Sequence, residues 1–201
     1  FTASALKLAG NPKAMRNWPL VTPLTVASML GVILTDILVP DGRLAGSIAL
    51  LAGIAQFIRM AQWGGIHTRR LPIIWVLHVG YLWLPVGLML KGLSLSTGTA
   101  VGAFWLHALT AGALATMIMA VMTRASLGHT GRVLIAPRLI PSAYGLLVVA
   151  AAVRVFGPAV AGPGKLRTTG RPGPSGLAGF FSVFWGFTPS PCCPRLDGRP
   201  G

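Results

Sequence analysis

Five runs of apolar residues, each about as long as a membrane-spanning helix, dominate this sequence. They lie near residues 19–39, 43–63, 72–92, 98–122 and 139–157. Crossing the hydrocarbon core of a bilayer takes about 20 residues of α-helix. Only helices and closed barrels satisfy their own backbone hydrogen bonds in lipid. The runs therefore predict an all-α fold, a polytopic bundle of about five transmembrane helices.

The composition favours a membrane protein over a soluble one. Hydrophobic residues make up 53% of the chain and charged residues 10%, with a mean hydropathy of +0.70, whereas soluble domains carry about a quarter charged residues. A formal net charge of +14 would suggest nucleic acid as the partner of a soluble protein. Here the basic residues lie between apolar runs and no nucleic-acid-binding motif is present. We therefore expect the lipid bilayer, and not nucleic acid, as the partner.

The basic residues are distributed unevenly between the two sides of the predicted bundle. Short connections make neighbouring helices antiparallel, so alternate connections share a side. The basic side contains Lys7, Lys13, Arg16, Arg59, Arg69, Arg70, Arg124, Arg132 and Arg138. The other side, before the fifth helix, has only Arg43 and Lys91, the latter at the start of an expected polar loop over residues 91–98. By the positive-inside rule we expect the loops around 64–71 and 123–138 to be cytoplasmic.

Four histidines are the most obvious chemical groups. His67 and His129 fall in the predicted cytoplasmic loops, whereas His78 and His107 fall inside the third and fourth helices. Ionisable residues within a span are rare and are functional candidates, and imidazole is a common ligand of metals and of haem iron. The alternatives are a packing histidine bonded to the next helix, or a solvated one in a loop.

The two intramembrane histidines are expected at different depths. His78 follows Pro72 by six residues and His107 follows Gly98 by nine, which gives roughly 9 Å and 13 Å from opposite ends at about 1.5 Å per residue. One metal ion shared by the two is therefore not the simplest geometry. Tyr81 shares the helix face of His78 and could tune a ligand there or only anchor the helix.

No constellation typical of an enzyme is present, and whether the chain is an enzyme stays open. There are no paired carboxylates, no phosphate-binding glycine loop and no Cys-x-x-Cys pair. Asp36 is the one acid within a predicted span. Three methionines are possible soft copper ligands, although core packing is the more common role of this residue: Met117, Met119 and Met122.

Several segments resemble the NnrS family of bacterial membrane proteins. They are RRLPIIWVLHVGY at 69–81 with LPVG at 84–87, LHALTAG at 106–112, MTRASLGHTGR at 122–132, and the ending PRLDGRPG at 194–201. The resemblance covers about residues 1–160 and the last eight. It implies a multi-pass protein of the bacterial inner membrane with about twelve helices, which contains haem and copper and takes part in the response to nitric oxide, often beside denitrification.

The resemblance implies five positions as ligands or cofactor-binding residues, and Tyr81 is added because it lies near His78. The five are His78, His107, His129, Arg124 and Arg132. Gly128 and Gly131 would let a loop turn on both sides of His129, so that the two arginines could face haem propionates. The alternative is an ordinary loop whose arginines only fix the orientation.

The sequence departs from the family pattern in two places. The first half of the family's length is missing, so we expect this chain to be the C-terminal half of a longer protein, with the N-terminal half as its partner. Residues 1–160 then form the bundle and residues 161–193 an irregular tail. That tail is rich in Gly, Pro and Arg where the family has a sixth helix, which suggests two compensating reading-frame changes before the family-like ending at 194–201.

Three functions remain open from the sequence. The first is a haem- and copper-binding redox or sensing protein of nitrosative stress. The others are a membrane transporter, for which Asp36 and Arg59 would be the pathway residues, and an assembly protein without a cofactor, in which the histidines only pack.

Overall fold

The computed structural model describes Arg16 and residues 18–40, 42–68, 72–98, 104–129 and 139–161. We number the long helices α1 to α5. Four of them are α1 (Val21–Leu38), α2 (Arg43–Ala61), α3 (Pro72–Thr97) and α5 (Leu139–Ala161), and a short 3-10 helix (Gly65–Thr68) lies between α2 and α3. Helix α4 runs from α-helical Phe104–His107 through π-helical Ala108–Leu114 to α-helical Ala115–His129.

All five helices are long and apolar enough to cross a membrane. Their outward faces carry exposed aliphatic side chains, among them Ile33 and Ile37 of α1, Leu51 of α2 and Val153 of α5. A soluble protein would bury such side chains, whereas lipid tails solvate them as well as a protein core does. The expected all-α bundle with five spanning helices is confirmed.

The helices alternate in direction, which gives the bundle two ends. The Trp63 end, defined by residues 62–68, contains the start of α1, α3 and α5, and there the Arg16 N–H donates to the carbonyl of Gln62 at 2.9 Å. The opposite end, the Gly98 end, contains the start of α2 and α4. Gly98 has φ 65° and its N–H donates to the Ser94 carbonyl at 2.9 Å, the left-handed closure that glycine favours after a helix.

Two segments expected as loops are helical, and so is Arg59, which was counted with the basic residues of the loop after the second helix. Residues 91–97 form the last two turns of α3, where the Thr97 hydroxyl donates to the Leu93 carbonyl at 2.7 Å. Residues 123–129 continue α4 through Gly128, so no turn occurs there. Arg59 lies in the last turn of α2 and not in the following loop. Polar residues whose hydroxyl groups bond to their own helix can remain helical. A prediction from hydropathy alone therefore places the helix ends too early. Arg132 and the tail 162–201 lie outside the described residues.

Helix α3 occupies the centre of the bundle. Its Leu88 packs with α1 and α2, its Trp83 packs with Phe104 and Val155, and its Val76 packs between α4 and α5. The internal Pro85 is fully buried; spanning helices tolerate proline because neighbouring helices cover the freed backbone groups.

Small residues bring α2 and α3 into backbone contact. A Cβ atom at Gly92 would lie 2.7 Å from the carbonyl oxygen of Gly46, and one at Gly53 would lie 3.2 Å from that of Pro85. Such close approach is the usual basis of helix association in lipid, where no hydrophobic effect drives it. It fixes the position of α3, and with it the side chain of His78, relative to the end of α2.

Candidate functional site

The His78 side chain has one defined proton position. It lies in the second turn of α3, and its Nδ1 is 2.9 Å from the carbonyl oxygen of Ile74, one turn earlier. A carbonyl can only accept a hydrogen bond, so a neutral His78 bears its proton on Nδ1 and keeps the lone pair on Nε2. That lone pair is the one with which an imidazole binds a metal.

The Nε2 atom of His78 is buried and has no hydrogen-bond partner among the described residues. Trp63 meets the imidazole edge-on, with ring centroids 5.8 Å apart and planes at 76°. Gly65 lies directly against the ring, since a Cβ atom there would be 2.4 Å from Cδ2 and 2.9 Å from Nε2. Any side chain larger than that of glycine at position 65 would displace the imidazole. A buried polar atom without a partner is uncommon and calls for an explanation.

Tyr81 belongs to the same cluster as His78. Its ring lies 4.5 Å from that of Trp63, and its hydroxyl donates to Oε1 of Gln56 on α2. Gln56 and Gln62 are both buried, and Nε2 of Gln62 also has no partner in the described part of the chain. We refer to Trp63, His78, Tyr81 and Gln56 as the Trp63 cluster.

The glutamines and Trp63 were missed by sequence reasoning. A signal was present, because Gln56, Arg59 and Gln62 recur every three residues in an otherwise apolar run and so share one helix face. The histidines drew attention as rare ionisable groups, whereas uncharged amides inside a span did not. The structure shows that this polar face of α2 is directed towards α1 and α3.

His107 lies in the fourth helix, as expected, next to an irregularity that sequence did not predict. The helix changes to a π-helix immediately after this residue, and π-helical turns are frequent at functional sites. Gly112 in the π-helical segment packs so closely on Trp83 that a Cβ atom would lie 2.5 Å from the indole. His107 is half-buried, and Arg154 of α5 is near enough for its charge to act on it.

His78 and His107 lie at different levels, in agreement with the sequence argument. Lys91 Nζ is 4.9 Å from the centre of the Trp105 ring, and Gly87 packs on Leu109. His107 is thus level with the turn between Gly87 and Lys91, roughly 14–20 Å from His78 along the bundle at about 1.5 Å per residue. The two imidazoles cannot bind one metal ion, nor the two faces of one haem, in this arrangement.

The other expected residues that the structure describes lie in the second half of α4. His129 is the last described residue of α4, at the Trp63 end, and Arg124 lies half-buried one turn earlier with interactions of its own in the protein. Met119 is buried against Ala143, whereas Met122 is exposed. Met119 thus packs in the core, whereas Met122 faces outward, so the two do not point to one site.

A family model named NnrS protein matches residues 1–189 of the chain. That is far more than half of its length. The chain belongs to the NnrS family. Neither a curated protein nor a solved structure gives a significant match. The NnrS match extends beyond residue 160 into the tail that the sequence analysis set apart, and it does not include the last eight residues.

Two features of His78 in this NnrS protein are those of a metal-binding imidazole. Among the described residues Nε2 has no hydrogen-bond partner, and Nδ1 is held by a carbonyl, as is usual for metal-binding histidines. Gly65 leaves the space that the imidazole itself occupies. Among the described residues no three His, Cys, Asp or Glu side chains converge. As a metal site His78 could therefore provide one protein ligand, so any group bound there would need further ligands of its own.

Proposed function

We propose that this NnrS protein binds haem or copper at His78, within the membrane, and takes part in the bacterial response to nitric oxide. The observation that carries the proposal is the buried Nε2 of His78 in the Trp63 cluster, which has no hydrogen-bond partner in the described part of the chain. Family membership supports the connection with nitric oxide. Copper or haem would supply the redox or gas-binding chemistry, and the chain would supply an apolar enclosure for it.

His107 is proposed as a second, separate position, because its level in the bundle excludes a site shared with His78. The neighbouring π-helix supports this. Two positions at different levels suit a protein that contains two kinds of cofactor. His129, with Arg124 and Arg132, is proposed as a further cofactor contact at the Trp63 end, on the strength of the family motif alone. We place the protein in the bacterial inner membrane, with the Trp63 end cytoplasmic.

Transport is less well supported than cofactor binding. Of the two candidate pathway residues, Asp36 accepts hydrogen bonds from Lys91, which neutralises its charge. Arg59 donates from Nη1 to the Thr25 hydroxyl at 3.0 Å. Both residues fix helices to one another, which a pathway residue is not required to do.

The experiment is to purify the full-length protein and measure haem from its Soret absorbance and copper by elemental analysis. His78→Ala should lose one of the two cofactors while the protein still inserts, because removing an imidazole makes a span more apolar. His107→Ala should reduce cofactor content independently of His78→Ala.

His67→Ala is the matched control. His67 lies near the same end of the bundle, but its side chain is exposed and its Nδ1 is 3.3 Å from the Gly64 carbonyl. Cofactor content equal to that of the unsubstituted protein in all three variants would reject the proposed site.

A further inference from the structure

The last turn of α2 contains a positive charge without a carboxylate partner among the described residues. Arg59 is half-buried, and one of its terminal nitrogens donates to the Thr25 hydroxyl. The sequence contains only three acids; Asp36 pairs with Lys91 near the Gly98 end, and the other two, at positions 41 and 197, lie outside the described residues. A guanidinium has five N–H donors, so Arg59 can donate to further acceptors.

A second unused donor lies on the same face of α2. Gln62 follows Arg59 by three residues, is 94% buried, and has no partner for its side-chain Nε2 within the part of the chain that the structure describes. An amide nitrogen in this position can only donate. The charge of Arg59 also reaches the phenol of Tyr81, which packs on Trp63 together with His78.

The polar groups at His78 and on α2 require different kinds of partner. His78 offers a lone pair and so requires a metal or a donor, whereas Arg59 and Gln62 offer N–H groups and a positive charge. The matching partner on the α2 side is an oxyanion with at least two acceptor oxygens. Guanidinium groups bind such anions through two parallel hydrogen bonds.

We propose that Arg59 and Gln62 form a binding site for a carboxylate or a similar small oxyanion beside His78. Thr25 is a positioning residue, since its hydroxyl donates to the Thr22 carbonyl at 2.8 Å and accepts from Arg59. If the carboxylate is part of a cofactor bound at His78, this proposal rests on the proposed function. If the oxyanion is a free ion, the proposal is independent of that function.

Two sources can supply this chemistry, namely the propionates of a haem at His78 and a free anion such as nitrite. The first arm of the test uses full-length protein from haem-deficient cells, reconstituted with haem or with haem dimethyl ester, which lacks the charged carboxylates. If the propionates are bound here, the unsubstituted protein prefers haem by about 10- to 100-fold, since charge-assisted hydrogen bonds have that strength. Arg59→Gln then loses the preference.

The second arm titrates sodium nitrite into the cofactor-free full-length protein and measures heat by calorimetry. If a free oxyanion is bound, the unsubstituted protein gives a saturable signal that Arg59→Gln abolishes and Gln62→Leu weakens. Arg59→Lys keeps the charge but lacks the planar fork, so either source predicts reduced binding in that variant. A purely topological role of Arg59 predicts no effect of the same change.

Arg43→Gln is the matched control, because Arg43 lies on the same helix at the opposite end and is exposed. Either a preference for haem over its ester or nitrite binding, lost in Arg59→Gln and kept in Arg43→Gln, supports the site. The absence of both in the unsubstituted protein, or equal behaviour of the two arginine variants, overturns it.

The outcome is separable from that of the proposed function. One outcome rejects the oxyanion site alone. In it, His78→Ala loses cofactor, but Arg59→Gln and the unsubstituted protein discriminate equally between haem and its ester, and neither binds nitrite. Unchanged cofactor in His78→Ala with an Arg59-dependent nitrite signal rejects the ligand role of His78 alone.

Discussion

The ion pair between Lys91 and Asp36 provides the sharpest stability prediction. Lys91 is 94% buried in α3, donates to both carboxylate oxygens of Asp36 on α1, and lies over the Trp105 ring of α4. The Asp36 side chain is 41% exposed and lies near the last turn of α1. When the pair is broken, water can therefore solvate the carboxylate of Asp36 more readily than the ammonium of Lys91.

Asp36→Asn leaves the buried ammonium without its counter-ion. Removing one partner of a fully buried pair costs about 3–5 kcal/mol, and the cost here is at or below the lower end of that range because the Asp36 side chain is 41% exposed. We therefore expect a loss of about 2–3 kcal/mol. Lys91→Met leaves the more exposed carboxylate near the end of its helix, where water can reach it, and we expect a loss of about 1 kcal/mol.

Replacing both residues, as Asp36→Asn with Lys91→Met, should bring stability to within about 1 kcal/mol of the original, because no unpaired charge remains. Stability is measured on the full-length protein in detergent, as the fraction that stays monodisperse after heating to a series of temperatures. Arg43→Met, which removes an exposed charge from the same end of the bundle, is the control and should behave as the unsubstituted protein does.

The expected order of midpoint temperatures is therefore unsubstituted and double variant together, then Lys91→Met, then Asp36→Asn. If Lys91→Met were less stable than Asp36→Asn, the argument from unequal burial would be wrong. If the double variant were less stable than both single variants, the pair would not be the reason for either loss.

Two further predictions concern the orientation and the space beside His78. A reporter fused after Gly98 should report the periplasm and one fused after Arg132 the cytoplasm, because the basic residues cluster on the second side; the reverse pair of results would refute the orientation. Gly65→Ala should lower the cofactor content about tenfold by displacing His78, since the added Cβ atom would lie 2.4 Å from the imidazole ring. Gly145→Ala is the control and should leave the cofactor content unchanged, because nothing lies within 4 Å of its Cβ atom. Equal content in both variants would show that the position of the imidazole does not matter.

The fold class followed from the sequence because helices in lipid satisfy their backbone locally. A span needs no information about its neighbours, only about 20 apolar residues, and each of the five predicted runs became a helix. The helix ends were less well predicted. Lys91, Thr97 and Arg124 looked like loop residues by polarity, yet they remain helical, because a side chain can bond within its own helix or reach a partner on the next one.

The sequence also determined that His78 and His107 are candidate functional residues, since an ionisable group inside an apolar run is visible without a structure. It could not determine what surrounds them. The imidazole of His78 meets Trp63 and Gly65, which come from the segment after α2. Tyr81 of the same cluster bonds to Gln56, 25 residues earlier in the sequence.

The tertiary structure decided the chemistry that these groups can perform. The protonated nitrogen of His78 is set by a bond to Ile74 one turn away, whereas the isolation of its other nitrogen is a property of packing between helices. The pairing of Asp36 with Lys91 likewise needed α1 and α3 to meet. Hydropathy specifies which segments enter the membrane, but the close contacts of small residues specify which side chains meet there, and only those contacts create a site.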